Sequence, residues 1–481
     1  MDNLALLLVV ICVPLFGAFF LPLAGMMSEK LRNWSALGMI GIPLLAAGLL
    51  LPQVESGQII HFSLGGIDLF LADQLAVFMA GVSLLVGALI VFYSFGYIHH
   101  YEHRNEYYFM VVLFLGSMMG IVFSRNLIFI YLFWEITALA CWRLIGFFRE
   151  KSYVVRADKA FLVTVFGALM MLIGFIMVYL QTGSFDLLAI RNASSAQPIS
   201  NIAVILILFG IFSKSATLPL HTWLPDAGVA PSPVTALLHA AVLVKIGVYV
   251  FARLFITSFT VDPIWSTVVP VIAGVSALVS AGAALIETDL KRIIAYSTIS
   301  QLGFIFLGLA VGGEVALAGG LLYILMHSLA KGGLFLCAGI VEQKTHCKDI
   351  TRLGGLITTM PITAVSFFIC ALSVMGVPPF GGFFSKYLVI AGAVNSGQFW
   401  IAAAFVLGAV MTVIYLFRVF LLVFLKPVPA TDGQTLPVEG SSTMVFSVAA
   451  LAVMSILGGL LISYPGAFVQ TAVQQMLGVV R

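Results

Sequence analysis

Charged side chains are scarce in this sequence, and charge of either sign is not concentrated anywhere along it. Only 9% of the 481 residues are charged and 61% are hydrophobic, whereas ordinary soluble domains carry about 25% charged residues. This composition excludes a soluble globular domain. The net charge of +3 is spread over connecting segments and forms no polybasic arm, so a nucleic-acid-binding function has no support.

Patterns that bind cofactors or metals are also missing. The five cysteines are scattered without a CxxC pair, at Cys12, Cys141, Cys337, Cys347 and Cys370. This spacing indicates neither a disulfide framework nor a zinc or iron–sulfur site. The sequence has no Rossmann glycine fingerprint and no nucleotide-binding loop, and His239 and His327 are not spaced as a pair of metal ligands. We therefore expect no cofactor and no metal, and we do not expect this chain to catalyse a reaction by itself.

What the sequence does contain is a series of apolar runs of about 20 residues, the length that crosses a bilayer. The first run has no basic leader, and we interpret it as a retained span rather than a signal peptide. The runs predict an all-α polytopic membrane protein with about fourteen transmembrane helices, near residues 4–25, 35–52, 74–96, 107–124, 126–148, 160–181, 201–227, 234–256, 264–287, 292–312, 316–341, 361–394, 398–425 and 443–464.

Lysine and arginine are distributed unevenly among the connections. Fourteen of them follow odd-numbered spans, and three follow even-numbered spans, namely Arg125, Arg191 and Arg253. The positive-inside rule then places the connections after odd-numbered spans in the cytoplasm. We expect a multi-pass protein of the cell (inner) membrane with both termini on the outer, periplasmic side.

Two of the predicted spans are interrupted. In the seventh, Lys214 is followed by Pro219 and Pro225, and in the twelfth the run VPPFGGFFSK ends at Lys386. Irregular backbone at membrane depth is tolerated only where it is buried in protein or lines a wet cavity. The tripeptide FSK ends at both lysines, in spans of opposite predicted orientation. Paired interrupted helices of this kind indicate a transport site.

Five ionisable residues lie in mid-span: Glu135, Lys214, Lys245, Lys331 and Lys386. Each costs about 2.5 to 3.5 kcal/mol at the bilayer centre on insertion scales, so such residues usually mark an ion or proton pathway. His239 and His327 lie in the same spans as Lys245 and Lys331. His327 is four residues before Lys331 and shares its helix face, so the two are expected to exchange a proton directly or through one water.

The alternative for each of these groups is a structural one. Glu135 is then a structural ion pair or a neutral, hydrogen-bonded acid, the lysines are bound to a carbonyl or an acid, and the histidines are hydrogen-bonded core residues. Arg143 lies inside the fifth span near its cytoplasmic end. No role is assigned to it, and we expect it to snorkel.

A lysine next to a carboxylate can load and release a proton. At an effective dielectric of about 20, a carboxylate roughly 4 Å away stabilises an ammonium by about 4 kcal/mol, while burial favours the neutral amine. Opening and closing one such pair therefore moves a proton on and off the lysine. The hypothesis from the sequence is that Glu135 and Lys214 form this pair.

Several long motifs resemble one membrane family. They are FWEITALACW, FSKSATLPLHTWLPDAGVAPSPVTALLHAAVLVKIGVY, ETDLKRIIAYSTISQLG, HSLAKGGLFLCAGIV and MGVPPFGGFFSKY. Together they are similar to the antiporter-like subunits shared by respiratory complex I, Mrp-type cation/proton antiporters and membrane-bound energy-converting hydrogenases. The resemblance implies a fourteen-helix fold with two inverted five-helix repeats whose seventh and twelfth helices are broken.

The resemblance also implies a division of the chain and a set of site residues. The segments are 1–106 (helices 1–3), 107–256 (first repeat, helices 4–8), 264–426 (second repeat, helices 9–13) and 427–481 (helix 14 and tail). The implied proton relay consists of Glu135, Lys214, His239, Lys245, His327, Lys331 and Lys386, with Lys386 exchanging protons with the outer side. The chain ends soon after its fourteenth span, and this favours a shorter subunit such as the D-type of Mrp or its hydrogenase equivalent.

Three functions follow as expectations. The first is a proton-translocating membrane subunit of a multi-subunit, redox-driven pump or antiporter, whose energy comes from partner subunits. The second is a Na⁺/H⁺ antiport subunit of an Mrp-type exchanger without redox drive. The third is a free-standing solute transporter, disfavoured because the spans contain no acid beyond Glu135 in mid-membrane. The expected partners are other membrane subunits, H⁺, Na⁺ under the second function, and the lipid bilayer.

Overall fold

The structure, a computed structural model, describes residues 2–427 and 437–478. In these residues twelve continuous helical stretches are long and apolar enough to cross a membrane. Each coincides with one of the predicted spans, and the two remaining predicted spans, the seventh and the twelfth, are the interrupted ones. The predicted all-α polytopic architecture is confirmed. Residues 428–436 and 479–481 of the predicted C-terminal segment, and Met1, lie outside the described residues.

The α-helices are numbered in chain order. Short 3₁₀ turns occupy Ala18–Phe20, Ile98–His100 and Ala227–Val229. The helices are α1 Asn3–Gly17, α2 Leu21–Met27, α3 Glu29–Glu55, α4 Gln74–Tyr97, α5 Arg104–Phe123, α6 Leu127–Ile145, α7 Lys151–Thr182, α8 Leu187–Ala196, α9 Asn201–Lys214, α10 Trp223–Asp226, α11 Ser232–Ala236, α12 Leu243–Phe251, α13 Trp265–Ile286, α14 Leu290–Ala310, α15 Glu314–Thr345, α16 Leu356–Thr359, α17 Pro361–Met375, α18 Gly381–Asn395, α19 Phe399–Phe420, α20 Ser442–Leu460 and α21 Ser463–Met476.

The seventh span breaks directly after its lysine. Helix α9 ends at Lys214, and Ala216 adopts a left-handed conformation with φ of 50°. Proline has no N–H to continue a helix, and Pro219 follows, so the chain resumes as helix only at Trp223. The indole Nε1 of Trp223 donates to the carbonyl oxygen of Ser213 at 2.9 Å. A tryptophan from beyond the break thus satisfies a carbonyl that the interrupted helix leaves free.

The twelfth span breaks before its lysine. Helix α17 ends at Met375, and Gly376 has a φ of 82°, a conformation that favours glycine. The chain resumes as helix α18 at Gly381 and carries Lys386 in its second turn. Both breaks contain a cis peptide bond before proline, at Pro219 and at Pro379. The two interruptions predicted from proline and glycine are therefore present.

The eighth span is irregular in a way the sequence did not indicate. Helices α11 and α12 are joined by a π-helical turn, Leu237–Ala241, and a second π-helical turn, Ala252–Ile256, ends the span. The residues of the most apolar stretch of this span are all buried inside the protein, so its side chains face other helices rather than lipid. Wide turns of this kind are rare inside helices and often coincide with functional sites.

Close packing brings α14 and α15 together beside the eighth span. Gly308 and Gly320 face each other between the two helices, and a Cβ on Gly308 would lie 2.8 Å from the backbone of Gly320. Small residues at membrane helix interfaces permit such close approach. Because α14 and α15 lie so near each other, their polar side chains can share one network.

An antiparallel β-hairpin follows the second span and was not predicted. Strands β1 (Ile60–Leu64) and β2 (Ile67–Ala72) pair with an irregularity after Phe62, and two glycines with positive φ form the turn between them. Connections that follow even-numbered spans gather at the same end, since Ser124 bridges to Phe70 and Asn126 to Asp186. Connections that follow odd-numbered spans meet at the opposite end, where Asp289 and Asp349 pair.

A buried ion pair joins this hairpin to the end of the eighth span. Nη1 and Nη2 of Arg253 donate to Oδ2 and Oδ1 of Asp73 at 2.5 and 2.7 Å. Asp73 also caps α4, because its carboxylate accepts from the backbone N–H of Ala76. Burial raises the pKa of the Asp73 carboxyl, but attraction to Arg253 outweighs this and holds the pKa below its ordinary value. The pair therefore remains charged at neutral pH and loses its contribution only in acid.

We expect Asp73→Ala to destabilise the protein by about 3 to 5 kcal/mol, because it leaves the Arg253 charge buried without a partner. The matched control is Asp68→Ala, which removes a half-exposed carboxylate 2.9 Å from Arg125 and should cost no more than about 1 kcal/mol. The measurement is the fraction of solubilised protein that stays monodisperse after heating. Equal losses for the two variants would contradict this view of the Arg253 pair.

Candidate functional site

The seven predicted relay residues lie in the interior of the helix bundle. Six of them are buried: Lys214, His239, Lys245, His327 and Lys331 have no exposed surface, and Lys386 is 4% exposed. Glu135, on α6, is partly buried. Buried charges require partners or a proton exchange, so the contacts of each group decide what it can do.

Lys214 and Glu135 lie near each other but do not form an ion pair. The Lys214 ammonium donates to the carbonyl oxygen of Trp134 at 3.2 Å and lies 5.2 Å from the centroid of its indole ring. Glu135 is the next residue and is near enough for its charge to act on Lys214. One oxygen of its carboxylate is buried without a hydrogen-bond partner in the described protein. A short movement of the ammonium from the carbonyl to this carboxylate would form the pair.

Lys245 and His327 are in direct contact. The Lys245 ammonium is 2.6 Å from Nδ1 of His327, and this contact joins α12 of the eighth span to α15. The other ring nitrogen of His327, Nε2, has no hydrogen-bond partner in the described protein. The sequence suggested a different partner for His327, namely Lys331 one helical turn away. The structure instead pairs it with a lysine 82 residues earlier in the chain.

Lys331 is turned towards α14 rather than towards His327. Its ammonium donates to the carbonyl oxygen of Ile294 at 3.1 Å and to the hydroxyl of Ser297 at 2.6 Å. Ser297 also accepts from the hydroxyl of Tyr415 on α19 at 2.8 Å. The ammonium of Lys331 is thus held by neutral acceptors, with no carboxylate among its hydrogen-bond partners.

His239 is the most isolated of the seven residues. It lies in the π-helical turn Leu237–Ala241, and its ring packs on Phe335 with centroids 4.4 Å apart. Neither ring nitrogen has a hydrogen-bond partner in the described protein. The charges nearest to it are those of Lys331, Lys245 and Lys291. His239 therefore stands among three lysines without being bound to any of them.

The Lys386 ammonium is bound by a backbone carbonyl at the break in its own span. Its ammonium donates to the carbonyl oxygen of Val374, the penultimate residue of α17, at 2.7 Å. It also lies over two aromatic rings, 4.6 Å from the centroid of Phe304 and 5.8 Å from that of Tyr323. Cation–π attraction at such distances stabilises a charge that has left water.

A network of uncharged polar residues connects the surroundings of Lys331 and Lys386. Its members are buried side chains from α14, α15 and α19: Ser297, Gln301, Tyr323, Thr412 and Tyr415. We did not predict these residues, because serine, glutamine and tyrosine occur in many apolar helices without a function. One signal was present in the sequence, since Ser297 and Gln301 are four residues apart in an apolar run and share a helix face.

A second cluster lies where connections after odd-numbered spans meet. Lys291 is 2% exposed at its side chain, and its ammonium lies 2.5 Å from Glu342, which also pairs with Lys348 at 2.9 Å. Burial lowers the pKa of Lys348, but attraction to Glu342 outweighs this and the pKa is raised. The sequence placed Lys291 in a connection, whereas it lies in the first turn of α14. Of the described residues, none form a group of three or more histidine, cysteine or acidic side chains suited to a metal ion.

Arg143, in the last turn of α6, forms an ion pair with a neighbouring helix. Its guanidinium pairs with the carboxylate of Glu106 on α5, and Nη2 donates at 2.9 Å. Arg149 donates to the same carboxylate at 2.7 Å. The sequence did not indicate this partner, because it lies 37 residues earlier on another helix.

Two family descriptions match the chain. Residues 124–412 match the family described as NADH:quinone oxidoreductase/Mrp antiporter, TM, and residues 67–108 match NADH-Ubiquinone oxidoreductase (complex I), chain 5 N-terminus. The chain is 32% identical to the Na⁺/H⁺ antiporter subunit A1 of Staphylococcus haemolyticus over 508 residues, and 32% identical to that of Staphylococcus aureus over 507. Both alignments cover 98% of this chain but only 62% of the relative.

Two solved structures share the fold at 23% sequence identity and a TM-score of 0.89. One is a chain of the Mrp complex from Dietzia sp. DQ12-45-1b, with 99% of this chain and 98% of that chain covered. The other belongs to a membrane-bound sulfane sulfur reductase, an archaeal respiratory membrane complex, with 99% of both chains covered. The same arrangement of helices therefore occurs in an Mrp complex and in a respiratory complex.

We expect His239→Phe to leave stability unchanged or slightly raised, since it replaces a buried group without hydrogen-bond partners by an apolar ring of similar shape beside Phe335. The comparison variant is His327→Phe, which removes the partner of the Lys245 ammonium and should lower stability by about 1 to 3 kcal/mol. Thermal inactivation of the solubilised protein measures both. A large loss for His239→Phe would show that this imidazole is a structural, hydrogen-bonded group.

Proposed function

Because this chain belongs to the NADH:quinone oxidoreductase/Mrp antiporter family of membrane proteins, we propose that it is an ion-translocating subunit of a multi-subunit membrane complex. It moves protons through a midplane relay of Glu135, Lys214, His239, Lys245, His327, Lys331 and Lys386. The observation that carries the proposal is the direct contact of Lys245 with His327. It joins the eighth span to α15 by two groups that both exchange protons, in the middle of a series of buried lysines.

In the proposed relay, Glu135 controls the loading of a proton on Lys214, the first lysine of the series. The Lys214 ammonium donates to the carbonyl oxygen of Trp134. Glu135 follows Trp134 in the chain, and one oxygen of its carboxylate is buried without a hydrogen-bond partner in the described protein. When the ammonium moves to Glu135, it gains about 4 kcal/mol at roughly 4 Å and an effective dielectric near 20. When it returns to the neutral carbonyl, the charged form loses that stabilisation, and the proton passes towards Lys245.

The driving force is proposed to come from partner subunits rather than from chemistry on this chain. The staphylococcal relatives are Na⁺/H⁺ antiporter subunits A1, and this favours antiport in an Mrp-type complex. The chain spans 62% of the length of those relatives. A redox-driven pump remains the alternative function, because a respiratory complex contains a chain of the same fold. We retain the segments 1–106, 107–256, 264–426 and 427–481, with two inverted repeats, as part of the proposal. The narrower comparison with the D-type subunit stays a prediction.

Removing either member of the controlling pair should stop transport. We expect Lys214→Gln and Glu135→Gln each to reduce proton movement at least about tenfold, because each removes one of the two charges whose attraction of about 4 kcal/mol loads the lysine. The control is Lys151→Gln, which removes an exposed lysine at the start of α7. The measurement is proton movement in everted vesicles that contain the complex, by a pH-sensitive dye.

The same vesicles separate the two sources of energy. Proton release upon addition of Na⁺, without an electron donor, supports antiport; proton uptake that requires an electron donor supports a redox-driven pump. Transport that survives in Lys214→Gln at the wild-type rate would contradict the relay. Activity of the chain when it is purified free of other subunits would instead support a solute transporter.

The orientation in the membrane is a further part of the proposal. Connections after odd-numbered spans share one end of the bundle, and they hold most of the lysine and arginine outside the spans. The positive-inside rule assigns that end to the cytoplasm of the cell (inner) membrane. The β-hairpin and both termini then face the outer, periplasmic side.

Single cysteines on the two ends test this orientation in a variant that lacks the natural cysteines. We expect Ser463→Cys, at the start of α21, to react with a membrane-impermeant maleimide in intact cells, because it lies at the outer end. Thr351→Cys, at the opposite end beside Asp349, should react only after the membrane is opened. The reverse pattern would overturn the assignment.

A further inference from the structure

The second half of the relay contains a continuous series of side-chain hydrogen bonds. The Tyr323 hydroxyl is 2.6 Å from Oε1 of Gln301, and Nε2 of Gln301 is 3.0 Å from Thr412 and 3.4 Å from Tyr415. Tyr415 donates to Ser297, which accepts from Lys331. The ring of Tyr323 lies under the Lys386 ammonium. Every member of the series is at most 1% exposed.

The orientation of the Gln301 amide is fixed by Thr412. Its hydroxyl donates to the carbonyl oxygen of Gly408 at 2.7 Å, so its oxygen can only accept from Gln301. The amide nitrogen of Gln301 must therefore face Thr412, and the amide oxygen faces Tyr323. Consequently the Tyr323 hydroxyl is a donor, and its hydrogen points at the amide.

An amide in this position cannot pass a proton on as a hydroxyl does. A hydroxyl or a water accepts a proton at its oxygen and releases another from the same atom. An amide that accepts at Oε1 would have to release from Nε2, which leaves the unfavourable imidic acid form of the side chain. Gln301 thus holds two tyrosines by hydrogen bonds while it interrupts proton transfer between them.

We propose that Gln301 is a positioning residue that blocks the direct route between Lys331 and Lys386, and so prevents protons from leaking through the relay. The inference rests on the proposed proton-translocating function. With Tyr323 held by the amide and Lys386 held by the carbonyl of Val374, the two lysines exchange protons only when the protein rearranges this network. Coupling to the driving ion or reaction requires such a barrier.

The proposed barrier predicts different proton leaks for two uncharged substitutions of Gln301. Gln301→Ala opens a space bordered by Tyr323, Thr412 and Tyr415, and a water with two to four polar partners is stable in such a space. That water both accepts and donates, so it links Tyr415 to Tyr323, whose ring lies beside the Lys386 ammonium. Gln301→Leu fills the space with a branched apolar side chain of similar volume and leaves no room for the water. Only the alanine variant is expected to leak protons.

The test uses the complex purified through a tag on this chain and reconstituted into liposomes. A potassium diffusion potential drives protons inward, with no Na⁺ gradient and no electron donor, and an internal dye reports the pH. We expect the passive proton flux of Gln301→Ala to exceed that of the wild type at least about tenfold, which corresponds to a barrier lowered by about 1.4 kcal/mol or more. Gln301→Leu should stay at the wild-type flux.

Further variants show whether the leak uses the relay. Lys331→Met combined with Gln301→Ala should return the flux to the wild-type level, whereas a leak through general disorder would persist. Sodium flux under the same potential should not rise in any variant. Equal fluxes for Gln301→Ala and the wild type, or equal leaks for the alanine and leucine variants, would overturn the role of Gln301.

The outcome is distinguishable from failure of the proposed function itself. If the complex does not transport protons, wild type and Lys331→Met behave alike in the coupled assay with everted vesicles, and Gln301 is then irrelevant. If the complex transports protons but Gln301→Ala does not leak, the relay stands and the barrier lies at another residue.

Discussion

The whole interior of this protein is organised by the need to give each buried ammonium an acceptor. A lysine at the bilayer centre costs at least about 2.5 to 3.5 kcal/mol, and a carboxylate for each would lock the charge in place. Three of the four mid-membrane lysines are bound instead by a backbone carbonyl, from Trp134, Ile294 or Val374. Neutral acceptors hold the charged form weakly enough that a proton can leave again. Binding of the ammonium groups by neutral carbonyls suits the proposed relay, whereas carboxylate partners would form structural salt bridges.

Structural ion pairs are present, but they lie towards the ends of the bundle. Arg253 with Asp73 joins the eighth span to the hairpin, and Lys291 with Glu342 closes the opposite end. The middle of the eighth span departs from regular helix at the π-helical turn Leu237–Ala241, and a second such turn carries Arg253 at the end of the span. His239 lies in that irregular middle without a hydrogen-bond partner in the described protein. The fold thus places its least constrained imidazole among the lysines.

The fold followed from properties that are local in sequence, and the contacts of the site did not. Hydropathy located the spans, and Pro219, Pro225 and the run VPPFGGFFSK located the breaks, because proline lacks the N–H that continues a helix wherever it occurs. The hairpin at Ile60–Ala72 was not predicted, although the sequence signals it: Ile60–Leu64 alternates apolar and polar residues, and Gly65 and Gly66 form the turn. The partner of His327 is 82 residues away, and Gln301 carries no charge to draw attention to it. Both depend on which helices pack together, which hydropathy does not encode.

The two broken spans hold their lysines in different ways, and the difference assigns them different parts in the proposed relay. Lys386 is bound by Val374, a carbonyl of its own interrupted span, and aromatic rings cover it. Lys214 is bound by Trp134, which belongs to another helix and precedes the mid-membrane carboxylate of Glu135. A small shift between α6 and α9 therefore changes the acceptor of Lys214 from neutral to negative, whereas no such exchange is built in at Lys386. In the proposed relay, proton loading is controlled at the first break, and the proposed barrier against return flow lies beside the second.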